Sequence, residues 1–443
     1  MEPQLTPQQE SVADNALNDL LNSEDRVAAI IGPAGTGKSF VASKLFDRLP
    51  CGYRVTFLAY TNKAVYNLEK LLAFNGLAAE CTASTIHSFL KLSKEKIDPT
   101  TGKRKFIKSD SDYHEEAINP REHLLVVDEM GTVPNNEDSP IALELMQLDN
   151  PILCLGDIYQ LPPPMEKVGA LFSLLEGHTY ELTEILRYKG GLLQAATHIR
   201  ERINEVDALD VLYSSNHHDG EGLFHCQPLA RRKLISEFVK REDYTSNPDS
   251  FRVLTWRKKT MDYWNSYLKT LIYGEDALSE KFLVGERIIA MESCTDRQTA
   301  RTTHSTFNKK VKLMSASQEG TVTSVQKVES EVLSTSFAYY SLGVKTDQGT
   351  QVNLRVLFDF EELKRDKLLK SLASKRQWRE YWELKDYFHD VKSAFSLNID
   401  RCQGITLENA FMDVEDVIAC REVYHRNRVA YTMLTRCKYQ VFT

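Results

Sequence analysis

The sequence predicts an α/β protein built on parallel sheets, and three observations carry that reading. Short apolar runs at 27–31, 54–59, 123–127 and 151–155 alternate with helical patterns at 40–49 and 63–74. Residues 32–39 read Gly-Pro-Ala-Gly-Thr-Gly-Lys-Ser, between an apolar run and an amphipathic stretch that starts at Phe40. A second alternation begins near Thr183, with strand candidates at 251–255 and 286–291, and resumes from Phe411 to Phe442.

The glycine-rich segment has the G-x-x-x-x-G-K-[ST] spacing of a phosphate loop, and its strand–turn–helix context is what that loop needs. Backbone N–H groups of Gly32, Ala34, Gly35, Thr36 and Gly37 are expected to close around phosphate oxygens. Lys38 would reach the outer phosphates, and Ser39 would ligate Mg²⁺. Active residues should then sit at the carboxyl ends of the strands.

The other elements follow from composition along the chain. At 443 residues, more than one domain is expected. Residues 91–120 break the alternation and carry a turn signal at Pro99–Gly102, so an inserted hairpin is expected. Residues 318–358 are β-rich and predict a small inserted barrel, and 360–392 read as helix. The net charge of −7 argues mildly against nucleic acid, but position matters more than the sum. Residues 91–108 hold seven Lys/Arg against two acids, and 364–392 hold nine against five among several aromatics. Trp378 and Trp382 share one face of a helix; core packing and DNA contact both stay open. Eight cysteines without a C-x-x-C pair fit a reduced compartment and no structural zinc. No apolar run approaches a membrane span, and the polar start of the chain is no signal peptide.

Two further strand ends carry chemistry. Val126-Val127-Asp128-Glu129 ends a strand in two carboxylates, one suited to hold Mg²⁺ and one to polarise water. Leu155 to Pro163 ends another in a polar turn, where Gln160 would report the γ-phosphate.

These segments, in this order, resemble motifs I, II and III of superfamily 1 helicases, in the RecD-like branch. Leu5 to Gln9 resembles the adenine-reading motif, with Gln9 the reader. The segments 59–64, 84–88, 182–187, 398–404 and 431–436 resemble the later motifs. The resemblance implies two RecA-like motor domains. The first spans 1–90 and 121–186, with a pin or wedge at 91–120. The second spans 187–290 and 393–443, with a β-barrel and helical insertion at 291–392. It implies ATP and Mg²⁺ as cofactors, Arg187 and Arg436 as arginines that meet the γ-phosphate, and Gln403 and Gly404 at the nucleotide. It also implies that Thr61, Asn62, Lys63, Thr85, His87, Trp256 and Lys258 face DNA, and that Phe106 is the wedge aromatic at the hairpin tip. One position departs from the pattern: Asp400 stands where the family commonly has His.

The activity so implied is an ATP-dependent 5′→3′ DNA helicase that acts on single strands and junctions. A translocase that strips proteins with little unwinding, an ATP-switched binding module and an RNA substrate are the alternatives. Replication or single-strand-binding proteins are candidate partners. A monomer is expected, with no membrane association, in the cytoplasm (a bacterial host's, if phage-encoded).

Overall fold

The computed structural model describes residues 4–108, 119–136, 139–163, 166–241, 244, 247–301 and 306–443. The side chains of 93–95, 106, 276, 297–301 and 306–310 fall outside that description. The chain forms two compact units. One comprises Met1–Ser93, Lys108–Met261 and Leu397–Thr443; the other comprises Lys94–Ile107 and Asp262–Ser396.

The first unit holds two six-stranded sheets. The strands Val27–Ile31, Arg54–Ala59, Cys81–Thr85, His123–Val127, Ile152–Gly156 and Thr179–Glu181 lie in the order 3-2-4-5-1-6, counted along the chain. Every neighbouring pair is parallel. A parallel sheet is covered on both faces, so its strands are apolar throughout rather than alternating. Phe57, Leu124, Leu153 and Leu155 pack on one face with Val12, Ala16, Leu20 and Val41. Leu58, Leu125, Val127 and Cys154 pack on the other with Met130 and Leu145. The helix Pro7–Asn22 opens with a capping box, in which the Thr6 and Gln9 side chains each accept the other residue's backbone N–H.

The second sheet holds Asn216–His218, Glu221–Phe224, Phe251–Thr255, Ser396–Asn398, Leu407–Met412 and Cys437–Phe442, in the order 4-3-5-6-2-1. Its first strand is antiparallel to the second, and the pairs along Phe251–Thr255, Leu407–Met412, Cys437–Phe442 and Glu221–Phe224 are parallel.

The second unit carries a five-stranded sheet in the order Gln351–Leu357, Thr335–Thr346, Glu319–Val332, Arg287–Ala290, Val391–Ser393, antiparallel throughout. One expectation is corrected here. The segment 286–291 belongs to this sheet, with Ile288 opposite Gly320, and not to the second α/β sheet. A four-residue apolar strand looks the same in either setting, because its pattern does not name its partner. Among the described residues, hydrogen bonding does not join the outer strands of this sheet to each other. Its long hairpin turns at Leu333 and Ser334, both at positive φ (51° and 60°). That is the twist a two-residue hairpin turn requires, and no glycine advertises it.

The inserted hairpin pairs Leu92–Ile97 with Arg104–Lys108. The Asp98 carboxylate closes the turn by accepting the N–H groups of Thr100 (2.8 Å) and Thr101 (2.7 Å). The helix Trp378–Tyr387 holds the turn. The Trp378 indole N–H donates to the Pro99 carbonyl (2.8 Å), and that of Trp382 donates to the Gly102 carbonyl (3.1 Å). Arg104 pairs with both oxygens of Asp386 and lies 3.8 Å from the centre of the Trp382 ring. The two tryptophans therefore share a face, as expected, but they grip the hairpin rather than the β sheet. Phe106 lies on the second strand, not at the tip, because the turn closes at 98–103; its side chain is outside the description. Residues 109–118 of the insertion lie outside the described residues as well.

Gly102 has φ 69°, and a Cβ there would fall 2.4 Å from the Trp378 ring. Gly102→Val should therefore release the turn. Faster amide hydrogen exchange at 98–103, with exchange in the two parallel sheets unchanged, is the expected result.

Candidate nucleotide site

The phosphate loop follows the strand Val27–Ile31, which lies between Ile152–Gly156 and the edge strand Thr179–Glu181, at the carboxyl end of the first sheet. Its glycines are required by packing as well as by backbone freedom. Gly32 (φ 151°) abuts the Leu182 carbonyl, which a Cβ would meet at 2.1 Å. Gly35 (φ 89°) abuts the Cβ of Arg187 at 2.6 Å. The loop is thus pressed against the segment that delivers Arg187. The Gln9 amide sits behind it. Its nitrogen donates to the Thr36 carbonyl (3.0 Å) and its oxygen accepts the Thr6 N–H (3.0 Å). Gln9 is buried and buttresses the loop, and it does not line the cleft.

The Lys38 ammonium donates to the carbonyls of Gly32 (2.8 Å) and Pro33 (2.9 Å). Burial lowers its pKa, against the raising effect of Asp157 and Asp128. The Ser39 hydroxyl donates to Asp128 (3.0 Å), whose other oxygen accepts the Glu129 N–H (2.9 Å). Burial pushes both adjacent carboxyls above their ordinary values; Ser39 and Lys38 oppose this at Asp128, and Arg436 opposes it at Glu129. Glu129 itself sits at φ 50°, a left-handed conformation that a non-glycine residue adopts at a cost. That cost aims its carboxylate into the cleft.

Arg436 enters from the second sheet's side. It is 3% exposed, and its guanidinium lies 4.0 Å from the Glu129 carboxylate. Its Nε donates to the Thr432 carbonyl (3.2 Å), while its buried Nη2 has no hydrogen-bond partner among the described residues. Arg187 donates to the Thr435 carbonyl (3.3 Å). These groups, with Ala34, Gly37, Gln160 and Gly404, line a cleft of about 660 Å³. Lys63 lines the cleft too, rather than standing apart from it. Gln403 is half-buried beside the cleft, and Gly32 and Thr36 support the loop from behind.

Sequence reasoning missed the junction that ties these parts together. Asp157 is buried. It accepts the Ala34 N–H of the phosphate loop (3.0 Å), the Tyr159 N–H (3.0 Å) and the Tyr431 hydroxyl (2.8 Å). The Gln160 side chain reaches the same carboxylate at 3.4 Å. One turn away on the helix Val423–Leu434, Arg428 is buried and donates to the carbonyls of Ile158 (2.9 Å), Lys167 (2.7 Å) and Gln160. An aspartate inside a Gly-Asp turn after a buried strand, and a tyrosine opening the last motif, were the available signals.

A second cluster lies at the ends of the strands Arg54–Ala59 and Cys81–Thr85, where Ala59 pairs with Thr85. Thr61 caps the helix Asn62–Phe74 by accepting the Ala64 N–H, which leaves its own hydroxyl hydrogen available. Thr85 accepts the Ser88 N–H and donates to the Ser88 hydroxyl (2.8 Å), so the outward proton is that of Ser88. The His87 ring lies 5.3 Å from Tyr60, and burial lowers its pKa. In the second lobe, Trp256 is half-buried and Lys258 exposed at the end of Phe251–Thr255. The buried Asp416 fixes that corner by accepting the N–H groups of Trp256 (2.6 Å) and Arg257 (2.9 Å) and the Thr260 hydroxyl (2.6 Å). Asp400 is exposed and accepts from the Asn398 amide (3.1 Å).

Comparison with known proteins agrees with this geometry. Residues 4–218 match the family model of an AAA domain. The chain is 24% identical over 460 residues to the ATP-dependent DNA helicase Dda of enterobacteria phage T4, covering 97% of both chains. It is 21% identical to an uncharacterised protein of Acanthamoeba polyphaga mimivirus, again over 97% of each. The crystal structure of Pif1 helicase from Bacteroides, in complex with ADP-AlF3 and ssDNA, superposes with a TM-score of 0.50. It is 16% identical and covers 100% of this chain and 92% of that one. A parallel sheet and a mostly parallel one, with a phosphate loop, paired carboxylates and facing arginines, have the features of the nucleotide-hydrolysing motor class. Within that class, the chain is similar to the Dda and Pif1 helicases.

Tyr431→Phe removes one donor from a buried carboxylate that keeps its others, so a loss of about 1–2 kcal/mol in unfolding free energy is expected. Denaturant titration measures it. No change in stability would mean that the hydroxyl contributes nothing at the junction.

Proposed function

We propose that this chain is an ATP-dependent DNA helicase that moves 5′→3′ on single-stranded DNA and separates the strands it meets. The observation that carries the proposal is the Arg436 guanidinium, buried at the cleft with an unpartnered Nη2 and facing Glu129. A buried donor of this kind is costly unless something completes it, and a γ-phosphate supplies the missing acceptor. Arg187 stands beside it in the same cleft. Arginines so placed stabilise the charge of phosphoryl transfer and typically supply ~10³–10⁵ in rate. Glu129 orients the attacking water, and Lys38 exchanges loop carbonyls for phosphate oxygens.

The Ser39 hydroxyl and the Asp128 carboxylate, 3.0 Å apart, suit Mg²⁺, which binds through one or two protein oxygens plus phosphate and water and would neutralise the developing charge. ATP binding draws on both lobes at once, through Lys38 from one and Arg436 from the other. The Asp157 junction passes that closure to the helix Val423–Leu434. The strand-end cluster at Thr61, Asn62, His87 and Ser88, and the corner at Trp256 and Lys258, are the two DNA grips whose strength alternates with the nucleotide. The braced hairpin 92–108 is the wedge. Its Trp378 and Trp382 clasp supports that role, because a wedge must not yield when it meets a base pair.

Glu129→Gln should lower DNA-stimulated ATP turnover by ~10²-fold or more while leaving ATP binding in place. An unwinding assay on duplexes with either a 5′ or a 3′ tail tests activity and direction together: only the 5′-tailed duplex should open. Efficient movement along single strands with neither duplex opened would support protein displacement instead.

The lowered pKa of His87 makes it neutral near pH 7, so it holds DNA as a polar group and not as a cation. Acidification past its depressed value adds a positive charge. Single-strand affinity should be flat from pH 8 to 7 and rise only below the ordinary imidazole value of about 6.5. His87→Gln should abolish that rise, as measured by fluorescence anisotropy; an unchanged profile in the variant would assign it to other groups.

A further inference from the structure

The run Lys367–Arg379 holds five cations, Lys367, Lys370, Lys375, Arg376 and Arg379, and no acid. It spans the end of the helix Asp359–Ser374, the turn after it, and the start of the helix Trp378–Tyr387. All five side chains are exposed; Glu380 and Glu383 follow the run, one and four residues past Arg379, and the other nearby acids are committed elsewhere. Asp366 pairs with Arg365, Glu361 with Lys364, Glu362 with Lys281, and Asp386 with Arg104. On a chain with net charge −7, that is a local excess of positive charge beside the clasped hairpin turn.

Helix chemistry explains only part of it. Cations at a helix C-terminus are favourable, which accounts for Lys375, the residue that ends the helix Asp359–Ser374. Arg379 lies in the first turn of the next helix, where that same field disfavours a cation. Arg376 is at φ 55°, in the left-handed position after a helix where glycine is the low-cost residue. Two of the five cations therefore stand where local stability opposes them.

We propose that these five residues form a binding surface for the phosphate backbone of double-stranded DNA, held next to the hairpin turn. The proposal rests on the reading of the hairpin as a wedge, because the duplex to be opened must then lie beside it. The surface suits a duplex better than a single strand. Single strands are held by stacking on aromatics as well as by charge, and the indoles in this region, Trp378 and Trp382, are committed to Pro99, Gly102 and Arg104. What remains accessible is cationic, and cations alone read phosphate.

The test is equilibrium binding without ATP, across a salt series, to a 5′-tailed duplex and to the tail alone. Each phosphate contact contributes about 0.9 to the slope of log affinity against log salt. The triple variant Lys375→Gln, Arg376→Gln, Arg379→Gln should lower the slope for the tailed duplex by about 2–3 and leave that for the tail unchanged. Arg376→Gly is the sharper arm. Glycine relieves the left-handed strain, so the melting temperature should rise while affinity for the tailed duplex falls severalfold; a purely structural arginine would move neither affinity nor slope. Equal losses on duplex and single strand, or none on either, overturn the proposal. Absence of DNA-stimulated turnover in the wild type would instead overturn the motor reading, and the duplex arm, which uses no ATP, would still decide the surface.

Discussion

Two adjacent carboxylates, Asp128 and Glu129, stand half-buried at the end of one strand, and the cleft is built around them. Burial pushes both carboxyls above their ordinary values, and repulsion from Asp128 adds to this at Glu129. Three cations counter this: Lys38 from the phosphate loop, and Arg187 and Arg436 from the segments leading into and closing the second sheet. Of these, Arg436 keeps a buried Nη2 without a partner among the described residues, and burial lowers the pKa of Lys38 and Arg187. The cluster is balanced only loosely until a polyanion enters. In the proposed function a triphosphate completes this cluster, and its binding is then coupled to the closeness of the two lobes.

That coupling has a defined route. The loop that follows the strand Ile152–Gly156 is held at both ends by the helix Val423–Leu434: Tyr431 reaches Asp157, and Arg428 reaches the carbonyls beyond it. Asp157 also holds the Ala34 N–H. One carboxylate therefore joins the phosphate loop, the loop that carries Gln160, and the helix that ends beside Arg436. Glu129 in a left-handed conformation and Gly35 packed on Arg187 show the same economy of space. Small shifts of a phosphate-sized group have few ways to be absorbed locally and must move neighbouring elements instead.

Much of this was legible in the residues. The strand 251–255, the helix near 63–74 and the phosphate loop declare themselves by apolar runs bounded by turn residues, and the motif order carried Lys38, Ser39, Asp128, Glu129, Arg187 and Arg436 to one cleft. What stayed hidden depends on contacts between distant segments. Nothing local tells the strand 287–290 which sheet to join. Asp157 and Tyr431 are ordinary until the fold sets them 2.8 Å apart. The hairpin turn at Leu333-Ser334 lacks the glycine that would mark it. Phe106 was expected at the hairpin tip because cations surround it, but the Asp98 turn closes the hairpin before that residue is reached. The tryptophans illustrate the same limit: their shared face was readable, and their acceptors, the carbonyls of Pro99 and Gly102, were not.

The central claim is that Arg436 completes the pocket only when a phosphoryl group in transfer occupies it. Binding of ADP with and without aluminium fluoride, to the wild type and to Arg436→Ala, tests this most directly. Because the analogue carries transition-state charge, the account predicts at least ~10²-fold tighter binding with aluminium fluoride in the wild type. Most of that gain should vanish in the variant, while affinity for ADP alone stays within severalfold. An equal gain in both proteins would contradict it.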